Sequence, residues 1–439
     1  MSLINERYRK VLKISLPAAM HNLLNMVQAM IDMLFVGRIS SVSLAAVGVS
    51  MQYMGLMYAF MSLLYVGTNT LVSRFFGARD MSKAGETVFI MIVFSFFLSV
   101  PIMLVAMNYG SFLFSILNTG EEVARQGASY MKMFAYGIPA MFVMGVLFSG
   151  MNAIGDTKIP FYISVSGNIL NVFLDYVLIF GKLGFKPMGI EGAALATVFV
   201  IYFQVCLYLY VYMWRKKLII KPKIDLAILR RALKVAVPTW LERISSHPSY
   251  LVLSALVAKY GVGSLAGYQV GLRLEGLAFM PGVGFTLAGM ALVGQGIGAG
   301  KPEEAEGDAM ASVVSASAVM GFVGLIMVAF PHQMAGVFTD DAETIKNAAL
   351  YLRIMGVSQV PLAVSFVMSG CLRGAGDTRY TFMMNSMSLW GLRILPAWLL
   401  TYITATPMWI YIIAVLETFF RAFMLIRRFK GGHWKTIKV

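Results

Sequence analysis

Six apolar stretches of membrane-spanning length occur twice in this chain, and the two sets keep one register. The first set lies near residues 15–37, 46–72, 87–108, 128–152, 160–181 and 190–213. The second lies near residues 233–257, 266–293, 308–330, 350–372, 380–404 and 407–426. A helix needs about 20 apolar residues to cross a bilayer. Matching residues recur 221 positions apart: Pro17 and Pro238, Leu44-Ala45 and Leu265-Ala266, Gly77-Ala78 and Gly298-Ala299, Tyr130 and Tyr351, Gly155-Asp156-Thr157 and Gly376-Asp377-Thr378. Six spans per copy is an even number, so both copies enter the membrane from the same side. That describes a parallel repeat about an axis along the membrane normal. The expected fold is an all-α polytopic membrane protein of twelve transmembrane helices in two pseudo-symmetric six-helix lobes. The expected domains are 1–214, a basic cytoplasmic linker over 215–231, and 232–439, with a short interfacial helix over 224–231.

Composition agrees. Of 439 residues, 59% are hydrophobic and 13% charged, about half the charged share of a soluble domain. The formal charge of +15 invites a nucleic-acid reading, but the basic residues are sorted by side. Arg7, Arg9, Lys10 and Lys13, then Arg74, Arg79 and Lys83, fall on one side with Arg215, Lys216, Lys217, Lys221, Lys223, Arg230 and Arg231. Lys301, Arg373, Arg379 and the tail (Arg427, Arg428, Lys430, Lys435, Lys438) join them. Roughly two-thirds of the basic residues thus share one face, which places both termini in the cytoplasm and the chain in the plasma (inner) membrane. The natural partners of that face are anionic membrane lipids, with no nucleic acid. Residues 1–13 are polar and basic, and the run after them is long enough to remain as a span, so no separable signal peptide is expected. Cys206 and Cys371 both lie in apolar spans and make no disulfide framework; the four histidines form no metal spacing.

The first span carries His21, Asn25, Gln28 and Asp32 at i, i+4, i+7 and i+11, one stripe along a helix. A carboxylate inside a membrane helix costs about 2.5–3.5 kcal/mol on insertion scales and faces protein or a wet cavity. The amides alone could serve as helix–helix glue, but Asp32 is ionisable, which favours a binding site. The fifth span repeats the theme: Asn168, Asn171 and Asp175 share a face, and Thr197 adds a hydroxyl on the sixth. These are hard oxygen donors suited to a sodium ion or a proton. The repeat supplies an internal control. At the 221-residue offset Asp32 becomes Leu253, Asn171 becomes Leu392 and Asp175 becomes Pro396. A six-span unit can therefore be built without these groups, which points to function.

The second copy has its own polar set: Glu242, Arg243 and His247, then Gln269, Arg273 and Glu275, then Arg393, and Glu417 with Arg421 at i, i+4. Internal ion pairing accounts for Glu417 with Arg421; Glu242, Arg243 and Arg273 suit either packing or substrate contact. The run Gly294 to Lys301 fails as a phosphate loop because Gln295 and Pro302 stand where the motif needs Gly and Ser or Thr, and a turn closing the second span of each repeat fits better. The Gly-Asp-Thr turns read as helix starts capped by Asp or Thr. The 33 methionines suit ordinary helix packing or an adaptable ligand wall.

Together Ile31-Asp32-Met33-Leu34-Phe35-Val36-Gly37, Leu44 to Gly48, Gly150 to Thr157, Asn168 to Gly181 and Leu292 to Gly300 resemble the multidrug and toxic compound extrusion (MATE) family, over essentially the whole chain. The resemblance implies two six-helix lobes around a central cavity, and export of amphipathic, mostly cationic compounds in exchange for sodium or protons. Its cation site would fall on Asp32, Asn171, Asp175 and Thr197. A substrate cavity would take Asn25, Gln28, Asn168, Glu242, Arg243, Gln269, Arg273 and Arg393. No cofactor is implied beyond the coupling ion, and a monomer is expected. The sequence departs from the family in lacking an acid in the middle of span ten and in placing three arginines in the second lobe. A flippase for a lipid-linked anionic precursor is the alternative those arginines suggest. A membrane-embedded enzyme lacks a nucleophile–base pair or metal cluster in the sequence, and paired repeats around a mid-membrane polar site suit alternating access better than a channel.

Overall fold

The computed structural model describes residues 2–110, 112, 114, 120–214 and 218–437. Arg215, Lys216, Lys217 and Lys438 lie outside them. Spans one to six are Ser2–Gly37, Ser41–Gly77, Met81–Asn108, the pair Glu121–Ala135 and Ile138–Ala153, Lys158–Phe180, and Gly189–Trp214. Spans seven to ten are Leu226–Ala258, Val262–Gly298, Pro302–Ala329, and the pair Ala342–Val357 and Gln359–Gly374. Span eleven runs from Thr378–Met387 through a π-helical turn, Ser388–Ile394, into Leu395–Leu400; span twelve is Met408–Lys430.

The chain is an all-α membrane protein of twelve spans in two six-helix units of the same construction. The 221-residue register holds to the residue over spans two and eight and over spans three and nine. Even the interruptions repeat, since spans four and ten are bent by 53° and 56° at the same place. Among the described residues seven helices are long and apolar enough to span alone, and the two bent pairs bring this to nine. The other three, spans one, seven and eleven, are the ones that carry the polar stripe, Glu242 with Arg243, and Arg393. Span eleven is divided by its π-helical turn into pieces of 10, 7 and 6 residues, whereas spans one and seven are long helices whose polar residues lower their apolarity.

The turns also match. The second and eighth spans close on Arg79 (φ 60°) and Gly300 (φ 70°), so the glycine-rich run is a left-handed helix exit that glycine enters without strain. The Gly-Asp-Thr turns are helix exits more than helix caps. Gly155 and Gly376 have φ of 79° and 82°, and the Asp156 and Asp377 amides donate back to Met151 O at 3.1 Å and Leu372 O at 2.8 Å. Asp156 Oδ1 accepts weakly from Ile159 N at 3.5 Å. Asp377 instead binds Arg428, Nε to Oδ2, at 2.8 Å.

Two compact units emerge, His21–Leu233 and Met1–Met20 with Lys234–Val439. The division differs from the expected one at both edges. Val11 and Ile14 share a core with Phe285, Ala309, Leu425 and Trp434, and Lys10 Nζ pairs with Asp308 at 2.5 Å, so the first turns of span one group with the later half of the chain. Lys221 donates from its amide to Gly85 O at 3.4 Å, and Lys223 pairs with Glu86 at 3.5 Å. These contacts group the basic segment with the earlier half. The interfacial helix expected over 224–231 is absent as a separate element, because Leu226–Ala258 is one continuous helix.

Candidate cation site

In the unit His21–Leu233 the polar stripe of span one is zipped to span five. Ser164 Oγ donates to Asn25 Oδ1 at 2.8 Å. Gln28 Nε2 donates to Asp32 Oδ1 at 2.5 Å and to Asn171 Oδ1. One amide therefore bridges both helices, and the stripe turns away from the exposed apolar side chains of Leu23, Val27, Met30 and Leu34. At the head of the stripe Asn25 Nδ2 meets His21 Nε2 at 3.1 Å, and the imidazole stacks on Phe148 with ring centroids 4.7 Å apart.

Asp175 lies one turn beyond Asn171 and is 1% exposed. Its carboxyl stands against that of Asp32, and Tyr130 lies within electrostatic reach of both. Neither Asp175 oxygen accepts a conventional hydrogen bond among the described residues. Two apposed carboxylates in a membrane cannot both stay ionised unless something positive joins them. Buried acceptors without donors call for the same partner. A proton or a hard monovalent cation meets both requirements, and carboxylate, amide and hydroxyl oxygens are fitting ligands for either. Among the described residues no group of three His, Cys, Asp or Glu side chains forms a metal cluster.

The remaining first-unit residues are less committed. Thr197 is half-buried on span six, which packs along span five, and its hydroxyl donates to Ala193 O at 3.0 Å; no hydrogen bond joins it to the carboxylates. Asn168 is half-buried, with an Nδ2 that finds no acceptor among the described residues. Tyr130 was legible only as a repeat marker paired with Tyr351, and Ser164 gave no signal.

The second unit treats charge differently. Arg393, expected in a substrate cavity, is buried and paired inside the unit. Its Nη2 donates to Glu417 Oε2 at 2.6 Å and to Thr418 Oγ1 at 3.0 Å, and its Nε to Glu417 Oε2 at 3.1 Å. The π-helical turn widens span eleven at that residue, as such insertions do. Ser388 donates to the other oxygen of Glu417, and Arg421 lies 3.5 Å from it. The expected Glu417–Arg421 pair is therefore half of a three-residue bridge. Glu242 Oε1 accepts from Arg373 Nη2 at 2.6 Å and from Asn385 Nδ2 at 2.8 Å. Arg373 had been counted with the loop cations, and its inward turn could not be read from spacing. Arg243, Gln269 and Arg273 are exposed on spans seven and eight. Tyr351 donates to Glu275.

Comparison with known proteins agrees with this architecture. The MatE family model matches residues 17–177 and again 238–399, two copies that start at Pro17 and Pro238. A probable multidrug resistance protein NorM of Thermotoga maritima is 27% identical over 439 residues, covering 98% of this chain and 94% of that protein. An uncharacterized transporter, YisQ of Bacillus subtilis, is 24% identical, covering 92% and 90%. Among solved structures, the Vibrio cholerae MATE transporter VcmN in the bent form superposes with a TM-score of 0.91 at 19% identity, covering 98% of each chain. A transporter of the MOP superfamily from Pyrococcus furiosus gives 0.90 at 20%, covering 98% and 97%. With the family model matched over most of its length, in both halves, the chain belongs to the MatE family, the MATE transporters its sequence resembles.

Proposed function

We propose that this protein is a secondary active multidrug efflux antiporter that exchanges amphipathic, mostly cationic compounds for sodium ions or protons by alternating access. The observation that carries the reading is the apposition of Asp32 and Asp175, neither of which forms an ion pair with a basic side chain among the described residues. A cation arriving there relieves the repulsion and draws the oxygens of Asp32, Asp175, Asn171 and Thr197 together. It favours whichever lobe arrangement brings them closest; drug favours the other. Coupling needs only that each ligand bind the two arrangements unequally, and 1–3 kcal/mol is a typical size. Asn25, Gln28 and Asn168 stand beside the site, while Glu242, Arg243, Gln269 and Arg273 offer polar contacts on the second unit. The scheme calls for no cofactor, and we place a monomer in the inner membrane with both termini cytoplasmic. The names of several relatives, probable multidrug resistance proteins, support the substrate class.

The test is transport in proteoliposomes with sodium and proton gradients imposed separately. One gradient should drive uptake or efflux of a cationic dye against its own gradient. Equal dye movement with and without either gradient would discard antiport. The exposed Arg243 and Arg273 favour a second reading, a flippase for a lipid-linked anionic precursor. Saturable binding of a lipid pyrophosphate that is lost in Arg243→Ala would support it.

A further inference from the structure

The basic end of span twelve forms a pocket apart from the proposed cation site. Span twelve ends on Arg427, Arg428 and Lys430. The chain then turns through Gly432 (φ 71°) into a short 3₁₀ helix, His433–Thr436. Trp434 is fully buried; its ring stacks on Phe429 at 4.6 Å and its Nε1 donates to Phe429 O at 2.7 Å. That latch holds His433 beside the helix end, with Nδ1 3.4 Å from Arg428 Nη2. Tyr380, from the start of span eleven, makes the far wall: its ring lies under the Arg428 guanidinium at 4.7 Å. The pocket, open to one side, holds about 320 Å³ and is lined by Tyr380, Met424, Arg427, Arg428, Gly431 and His433.

The charge balance of the pocket is positive. Asp377 grips Arg428 through Nε at 2.8 Å and Nη2 at 3.4 Å, which orients that guanidinium. Arg427 is exposed. Two of the helix's terminal carbonyls, which would repel an anion, are covered: Gly431 N donates to Arg427 O at 3.0 Å, and Gly432 N and Trp434 Nε1 to Phe429 O. An exposed guanidinium, Arg427, beside Arg428 held over the Tyr380 ring suits a phosphate group.

A second feature identifies the source of the phosphate. Leu416, Phe420 and Phe423 precede Arg427 at i, i+4 and i+7 of the same face, and all are exposed, at 62%, 40% and 61%. An apolar stripe that ends in a basic pocket at the membrane boundary has the form of one lipid molecule. We propose that this pocket binds the phosphate of an anionic phospholipid, whose acyl chain lies along Leu416, Phe420 and Phe423.

The full-length chain, purified in detergent, would be titrated with phosphatidylglycerol and with phosphatidylcholine and followed by native mass spectrometry. Phosphatidylglycerol should be retained in preference to phosphatidylcholine. Arg427→Ala should weaken its binding about tenfold, the loss of one charge-assisted contact, and Arg427→Lys should weaken it less. His433→Ala, on an exposed residue, is a second variant that tests the same pocket, with a severalfold loss expected. Equal binding of the two lipids, or unchanged phosphatidylglycerol binding in both Arg427→Ala and His433→Ala, would overturn the proposal. Glycerol phosphate serves as the soluble competitor. If it displaces the lipid at equal concentration, a soluble phosphate compound is the ligand and the lipid assignment falls.

Discussion

In the first unit, Asp32 and Asp175 are brought together with amides and a tyrosine as their neighbours. In the second, Glu242 has Arg373, and Glu417 has Arg393 and Arg421. Both units fold to the same plan in the same register, so the helices alone do not decide which treatment applies. A carboxylate that carries its own arginine is electrically finished, and its removal is a question of stability. A carboxylate without one has to take its positive charge from elsewhere, and in a transporter that charge can be the one that moves. The contrast supports the proposed placement of cation exchange in the first unit, with the paired charges of the second serving its packing.

The largest expected effect breaks the second half of that contrast. Glu417→Gln leaves two guanidiniums in a buried setting and should cost about 3–5 kcal/mol, measured by denaturation in detergent. Replacing Glu417 and its closer partner together, Glu417→Leu with Arg393→Met, should recover part of the loss, since a buried pair is often no better than apolar side chains of similar volume, while Arg421 keeps the cost of its lost partner. If the double variant is as unstable as the single, the pair is not the unit that matters. Glu242→Gln should cost about 2 kcal/mol, because the Arg373 contact is charge-assisted and only slightly exposed. In the first unit the effects on stability shrink. Gln28→Ala removes the bridge between Asp32 and Asn171 and should cost about 1 kcal/mol. The smallest change should come from Asp32→Asn or Asp175→Asn, within about 1 kcal/mol of the parent and of either sign, because each removes a repulsion along with a ligand. Either should nonetheless lower cation-driven dye transport at least tenfold in proteoliposomes.

Much of this was legible in the chain before any coordinates. A constant offset between apolar runs carries the fold, because helix length, bend and turn positions all follow the same spacing. The stripe on span one and the triplet on span five could be read because helical periodicity puts such residues on one face. What spacing does not encode is the partner across a helix interface. Arg373 sits near a span end and reads as a loop cation, yet it reaches inward to Glu242. Arg393 and Glu417 are on different spans, and the π-helical turn that aims Arg393 at Glu417 leaves no mark in the residue pattern. The basic segment after Trp214 reads as a free linker because charge suggests solvent, whereas Lys221 and Lys223 are held by Ser82 and Glu86.

The most direct test is the shift in unfolding temperature that sodium or acidification produces in the purified protein. A cation that binds only the folded state at 100 times its dissociation constant stabilises it by about 2.7 kcal/mol. The account predicts that one of the two conditions raises the unfolding temperature of the parent, that Asp32→Asn and Asp175→Asn each abolish the rise, and that Glu417→Leu with Arg393→Met preserves it. A full rise in both aspartate variants, or its loss only in the Glu417 and Arg393 double variant, would contradict the placement of the exchanged cation in the first unit.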